Sequence, residues 1–361
     1  MCDHTQQLPR EQTRQVQVGA VVIGGGAPIP VQSMCNTKTT DVAATLAQIR
    51  DLAKNGCDIV RVTVPTQAAA DSFVQICAAS PLPVVADIHF DWRLAISAIK
   101  SGAAAVRINP GNIGSFDHVD AIIDAAGEAG VPIRIGVNAG SLDKAIAEQD
   151  KLSIADKLVH SAISFTDHLE RRGFYDFVLS AKVHGVPETI ETNRRLSQEL
   201  PHVPLHIGVT EAGTRRQGTV KNSIALGVLL AEGIGDTIRV SLTDDPAEEV
   251  RVGWEILSAI GLRRLHPELV SCPTCGRTQV DLIGIARQVE QRLQQVRTPI
   301  SVAVMGCVVN GPGEARGADI GVACGKGQGM IFVKGKTVRK VKEDEIIDAL
   351  FEEIDRRWPS S

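Results

Sequence analysis

The chain has 361 residues, with 38 Lys and Arg against 42 Asp and Glu and a net charge of −4. It has no long basic run and no stretch of transmembrane length, which argues against nucleic-acid and membrane partners. Aromatics make up only 3% of residues, so the core has to be built from Ala, Val, Ile, Leu and Gly, as suits parallel strands buried on both faces.

Residues 1–15 are polar, lack an apolar signal core and are expected to be flexible. A reducing cytoplasm is expected, in which the eight cysteines read as ligands and buried thiols rather than disulfides. Val16 to Ile29 reads as a short hairpin around Gly24-Gly25-Gly26. Eight short runs follow, each ahead of an amphipathic stretch of helical period. They are Val31 to Met34, Asp58 to Val64, Pro83 to Ile88, Ala104 to Ile108, Ile133 to Val137, Phe177 to Val183, Leu205 to Val209 and Thr237 to Leu242. Between them, Asp41 can cap a helix with Val42, Leu46, Ile49 and Ala53 on one face, and Asp91 another with Leu94, Ala95 and Ile99. Pro246 suits a helical first turn. Eight strand–helix units in about 250 residues fit a (β/α)8 TIM-type barrel over residues 16–262, with a doubly wound open sheet as the other solution.

Polar residues gather at the C-terminal ends of these runs: Asn36, Arg61, Asp87 and His89, Arg107 and Asn109, Arg134 and Asn138, Lys182, Glu211, Arg239 and Ser241. In a barrel that rim carries the active site. Arg61, Arg107, Arg134 and Arg239 lie in or just beyond apolar runs, and burying them without partners is costly. Rim carboxylates can pair with some. A multiply charged anion such as a diphosphate would satisfy the rest through bidentate contacts. Thr210 to Ser223, after the seventh run, is a further phosphate-loop candidate.

Residues 263–271 read as a link to a small α/β unit over 272–361. It comprises a helix from Asp281 to about Val296, a strand from Ile300 to Met305, and strands from Ile320 to Cys324 and Met330 to Lys334. A turn at Gly335-Lys336 and a helix from Glu343 to Arg357 complete it. Cys272-Pro-Thr-Cys275 and Cys307-Val-Val-Asn-Gly-Pro-Gly-Glu314 offer three thiolates and a carboxylate. That set suits an iron–sulfur cluster whose fourth iron is held weakly by Glu314 and is open to exchange. The rival is structural zinc on Cys272, Cys275, Cys307 and Cys324. Zinc sites usually have two close cysteine pairs, and Cys324 sits in a strand-like run where a buried thiol is common. Cys35, Cys57 and Cys77 read as core residues. Two other kinds of protein stay open at this point: a non-enzymatic iron–sulfur electron carrier or redox sensor, and a zinc-stapled barrel enzyme of the aldolase or pterin-binding synthase type.

Cys272-Pro-Thr-Cys-Gly-Arg277 and Met305-Gly-Cys-Val-Val-Asn-Gly-Pro-Gly-Glu-Ala315 closely resemble the bacterial 4-hydroxy-3-methylbut-2-enyl diphosphate synthases of the non-mevalonate isoprenoid pathway. So do Val31-Gln-Ser-Met34 with Asn36-Thr37, Val106 to Asn112, Ile207 to Gly213 and Glu232 to Ser241. The resemblance runs from about residue 15 to the end. It implies a [4Fe-4S] oxidoreductase that opens 2-C-methyl-D-erythritol 2,4-cyclodiphosphate by a two-electron reductive dehydration. Reduced flavodoxin or a ferredoxin would be the donor, and the assembly a head-to-tail homodimer. By motif, Cys272, Cys275, Cys307 and Glu314 correspond to cluster ligands. Arg61, Arg107, Arg134, Asn138, Lys182, Arg239 and Ser241 correspond to positions that hold the anion, and Asp87 and His89 lie on the same rim. Glu211 corresponds to an acid–base residue. The chain departs from the family pattern at Cys35, often Thr, and at Val183-His184-Gly185 after Lys182.

Overall fold

The computed structural model describes residues 8–142, 144–307, 313 and 316–359. It divides into two compact units, up to Arg263 and from Arg264.

In the first unit, β1 (Val16–Val18) and β2 (Val21–Ile23) form an antiparallel hairpin. Its turn is at Gly19, with φ +57°, not at the glycine triplet. Gly24 to Gly26 follow β2, all at positive φ, and a Cβ on Gly24 would lie 2.1 Å from the Arg14 carbonyl oxygen. The triplet thus permits close backbone approach rather than a strand reversal. Val16, Val18 and Ile23 pack on Ile59, Val85, Ala105 and Val178, each the first or second residue of a barrel strand, so the hairpin plugs the N-terminal end of the barrel.

The barrel strands are β3 (Gln32–Met34), β4 (Ile59–Thr63), β5 (Val84–Ile88), β6 (Ala105–Ile108), β7 (Ile133–Asn138), β8 (Phe177–Lys182), β9 (His206–Ile207) and β10 (Thr237–Ile238). β3 to β8 form one parallel sheet in sequence order, and β9 pairs with β10 in parallel. Parallel bridges Leu179↔Leu205 and Val31↔Ile238 join the two sheets at both sides, which closes the ring and excludes the open doubly wound sheet. Each strand falls within or next to one of the eight apolar runs. The helices follow local chemistry. The Asp41 carboxylate accepts the Ala44 N–H and starts Val42–Lys54, which buries Leu46, Ile49 and Leu52. Each such side chain contributes about 1.5–3 kcal/mol. Asp91 caps Trp92–Lys100, and Asp245 with Pro246 opens Pro246–Ala259.

The second unit is a five-stranded sheet in the order β11 (Glu268–Ser271), β12 (Ser301–Met305), β13 (Ile320–Gly325), β14 (Gln328–Val333), β15 (Lys336–Lys342). The first three are parallel and the last two pairings antiparallel. Glu268–Ser271, inside the stretch expected as a link, is therefore an edge strand. β15 was not expected, because its strand residues are almost all charged or exposed. The tight turn before it is Lys334-Gly335, both at positive φ, one residue earlier than expected. Helix Leu282–Leu293, capped by Asp281, packs Leu282, Ile285, Val289 and Leu293 into a core with Ile346, Leu350 and Ile354 of helix Ile346–Arg357. Among the described residues no helix is long and apolar enough to cross a membrane.

Candidate functional site

The barrel interior is ionic. Arg61 stands mid-strand on β4, Asp87 near the end of β5, Arg107 on β6 and Arg134 early on β7. Asp87 bridges two of them: Arg61 Nε is 3.3 Å from Oδ2, and Arg107 Nη1 is 3.2 Å from Oδ1. His89 Nε2 lies 3.9 Å from Asp87 Oδ2 at the more exposed end. Burial alone would raise the Asp87 carboxyl, but Arg61 and Arg107 hold it below its ordinary range. Arg61 also donates to Met34 Sδ, and Arg134 to Gln32 Oε1. With its amide turned to satisfy both ends, Asn138 accepts from Arg107 Nη2 at 3.1 Å. Arg134 therefore lies inside the barrel, near the N-terminal end of its strand, rather than on the rim.

On the opposite wall, Arg239 directly follows β10 and meets Glu249 of helix Pro246–Ala259 at 3.4 Å. Glu249 also accepts the Leu242 N–H at 2.9 Å and the Ser33 hydroxyl at 3.3 Å. Lys182 ends β8 in register with Asn138, and its buried Nζ has no hydrogen-bond partner among the described residues. A Cβ on Gly208 would be 3.0 Å from that nitrogen. Burial, then Arg239 and Arg134, push the Lys182 amine well below the usual lysine range. Burial and the neighbouring cations likewise depress Arg134 and keep the His206 imidazole neutral. His206 is 1% exposed, with Nδ1 3.4 Å from Thr237 Oγ1 and Nε2 without a hydrogen-bond partner among the described residues.

Arg61, Arg107, Arg134, Lys182 and Arg239 thus face Asp87 and Glu249, an excess of cations over carboxylates among the described residues. Buried charges of one sign destabilise one another, so the cradle is complementary to an anion with several charges. Ser241 follows Arg239 and its N–H faces Asn222 Oδ1 at 3.4 Å. Glu211 is exposed in the loop before helix Arg215–Ala231, at φ +52°. A non-glycine residue there costs about 1–2 kcal/mol. His184 is exposed beside Lys182, and Cys35 is buried, its thiol pushed up to about 12 by desolvation. Sequence reasoning missed Gln32, His206 and Glu249. The first two sit inside recognised runs, where a polar residue on an inward position was the available signal.

In the second unit, topology brings two cysteines to one end of the sheet. Cys272 directly follows β11, and Cys307 lies two residues beyond the parallel neighbour β12. The Gly306 N–H donates to Cys272 Sγ at 3.2 Å. Cys275 is exposed in the following loop, where its N–H meets Thr278 Oγ1 at 3.2 Å. Cys324 is fully buried in the sheet core, its thiol raised to about 12 by desolvation, an unfavourable setting for a metal-bound thiolate. Glu314 and Asn310 lie outside the described residues. Three accessible thiols at one sheet end, one already receiving a backbone N–H, fit an iron–sulfur donor set.

The family model described as GcpE TIM-barrel domain matches residues 13–254, and that described as GcpE protein C-terminal domain matches residues 268–356. The chain is 54% identical over 348 residues to the 4-hydroxy-3-methylbut-2-en-1-yl diphosphate synthase (flavodoxin) of Clostridium acetobutylicum, covering 96% of this chain and 99% of that one. It is 52% identical over 347 residues to the protein of the same name in Geobacter sulfurreducens, covering 96% and 98%. Among solved structures, dihydropteroate synthase from Stenotrophomonas maltophilia superposes with a TM-score of 0.51 at 16% identity, over 68% of this chain and 99% of that one. That likeness concerns the fold alone.

Proposed function

The chain belongs to the GcpE family, and from that premise we propose how its two units carry out the family's reaction. It converts 2-C-methyl-D-erythritol 2,4-cyclodiphosphate to (E)-4-hydroxy-3-methylbut-2-enyl diphosphate by two-electron reductive ring opening and dehydration. The observation that carries the barrel's part is the excess of buried cations over carboxylates. Arg61, Arg107, Lys182 and Arg239 hold the diphosphate, with Asn138 and Ser241 adding hydrogen bonds, and Arg134 adds its charge from deeper in the barrel. Asp87 keeps Arg61 and Arg107 side by side, so both guanidiniums are positioned before the anion arrives. His89, beside Asp87, lies nearer the mouth. Glu211, on its strained loop, is the group we assign to move a proton at the departing oxygen.

Cys272, Cys275 and Cys307 would hold a [4Fe-4S] cluster, with Glu314 as the fourth, exchangeable ligand. When bound, that group supplies electrons singly, which side chains do poorly. Flavodoxin is the donor named for the relatives, and we take it as the donor here. A pure electron carrier would not need the barrel's cations, and a zinc staple would not need a carboxylate ligand. No disulfide joins the described cysteines, which suits a cytoplasmic setting. We also propose a head-to-tail homodimer in which each cysteine-bearing unit serves the partner's barrel. Mixing a Cys307→Ser chain with a Glu211→Ala chain should then restore part of the activity. Absence of recovery in a proven heterodimer would argue for a self-contained chain.

The test of the function is anaerobic turnover of the cyclic diphosphate with reduced flavodoxin. Wild type and Cys324→Ser should make product and carry iron and sulfide, while Cys272→Ser, Cys275→Ser and Cys307→Ser should do neither. Iron retained in Cys307→Ser but lost in Cys324→Ser would overturn the ligand assignment. Glu314→Ala should keep iron but lose most turnover.

A further inference from the structure

The second unit ends its sheet on a basic strand. Among the described residues β15 pairs with β14 alone, and Lys336, Arg339, Lys340 and Lys342 on it are exposed, while Val341 is buried. Lys334 and Lys326 stand exposed in the turns at either end of β14. Residues 264–361 hold 14 Lys and Arg against 12 Asp and Glu, whereas the whole chain has 38 against 42. Arg339 is partly neutralised by Glu352 at 2.5 Å, and the acidic turn Glu343–Glu345 follows Lys342. The cationic stretch is therefore centred on Lys334, Lys336 and Lys340.

Register ties the C-terminal end of this strand, at Lys340 and Lys342, to the cysteines, while Lys336 lies in the row of Val333, Ile320 and Val302, towards the other end of the sheet. Ser271, Val304, Val322, Ile331 and Arg339 lie in one row across the sheet. The next row runs Met305, Ala323, Met330, Lys340, and on β11 the residue one beyond Ser271 is Cys272. Three strand spacings separate β12, which leads to Cys307, from β15. At about 4.8 Å each they amount to about 14 Å. Lysines along an edge also keep it from pairing with other chains. That role needs no partner, so it predicts no effect on electron delivery.

We propose that the exposed edge strand Lys336–Lys342, with Lys334, is the docking surface for the electron donor, a flavin-carrying protein of the flavodoxin kind that presents an acidic face. The inference rests on the reading of Cys272, Cys275 and Cys307 as the point of electron entry, and it adds the place of docking. Complementary charge at the edge would steer the encounter and set its salt dependence. The donor would lie along the sheet edge with one end near the cysteine row at Lys340 and the other at Lys336, about 10 Å further along the strand, leaving the cysteine loop free.

The experiment uses the full-length, iron-loaded chain and a bacterial flavodoxin. Binding of oxidised flavodoxin is measured by calorimetry or interferometry, and turnover is driven either by reduced flavodoxin or by reduced methyl viologen. Lys336→Glu/Lys340→Glu should weaken flavodoxin binding at least tenfold and raise its KM to match. Viologen-driven turnover and iron content should stay within about twofold of wild type. Lys336→Gln/Lys340→Gln should fall between the two and serves if the reversed pair folds poorly. Added salt should weaken wild-type binding steeply and the reversed variant's little. Unchanged flavodoxin binding in both variants would overturn the docking surface while leaving the reaction intact. Loss of viologen-driven turnover in parallel would overturn it too, by showing a structural role. Failure of wild type with viologen would instead strike the proposed function.

Discussion

The guanidinium of Arg107 lies across Gly136 on the next strand, so close that a Cβ there would stand 2.4 Å from Nε and 2.7 Å from Nη2. The same group reaches Asp87 at 3.2 Å, so Gly136 is part of what aims Arg107 into the barrel. Gly136→Ala should push Arg107 aside and weaken substrate binding by about 1.5–3 kcal/mol, the scale of one hydrogen bond to a charged group. Arg107→Ala should cost a similar amount, and the double variant little more than either alone, because one contact is lost in all three. Calorimetric titration of the four proteins checks this. Fully additive losses would show that Gly136 acts elsewhere.

The buried amine of Lys182 is a cost to stability. Its Nζ is buried near Arg239, Arg134, Arg61 and Arg107, with no hydrogen-bond partner among the described residues. Lys182→Met keeps the volume and removes the charge. It should raise unfolding stability by about 1–3 kcal/mol in the absence of substrate and weaken substrate binding. The folded amine is depressed, so the lysine's penalty is largest at neutral pH and fades as pH rises towards the ordinary lysine range. Denaturant unfolding of both proteins from pH 7 to 10 should show the stability gap narrowing. A gap that widens with pH would contradict the assignment.

Glu211 presents the same trade in the backbone. At φ +52° a glycine is unstrained, so Glu211→Gly should stabilise the chain by up to about 1 kcal/mol. It should also abolish most turnover, as Glu211→Ala should, with the alanine showing no gain in stability. Retained activity in the glycine variant would remove Glu211 from the chemistry.

Asp236 gives the barrel an acid-side pH dependence. It accepts the Leu205 N–H at 2.8 Å and the Thr13 hydroxyl at 2.8 Å, and burial raises its carboxyl to about 6. The fold therefore favours the protonated form. The associated stability is present below the ordinary carboxylate range and is lost as pH rises to about 6. Wild type compared with Asp236→Asn should lose about 2–3 kcal/mol between pH 4 and 7, from a shift of about two units. Urea unfolding across that range measures it, and a constant difference would contradict the direction.

Strands with apolar, β-branched residues were legible because both of their faces are buried; Val84–Ile88 and Ile133–Val137 are the clear cases. Closure was not, since it depends on single bridges such as Val31↔Ile238 that no periodicity encodes. β11 and β15 escaped notice because edge strands expose polar residues and lose the apolar signal. The glycine triplet misled because close backbone packing and strand reversal both use positive φ. Arg61, Arg107, Lys182 and Arg239 could be read from cations set in apolar runs. Their partner Glu249 could not, since it reaches the site from a helix 10 residues further along the chain. Arg134 could be named but not placed, because position along a run does not give depth in a sheared barrel.

We propose that the barrel's excess of buried cations is a diphosphate cradle. Its most direct test is calorimetric titration of the full chain with 2-C-methyl-D-erythritol 2,4-cyclodiphosphate, in wild type and in Arg107→Ala and Arg239→Ala. Each variant is expected to bind about 10- to 100-fold more weakly, the range that corresponds to about 1.5–3 kcal/mol, with iron content unchanged. Wild-type affinity in both variants would show that these cations do not hold the diphosphate.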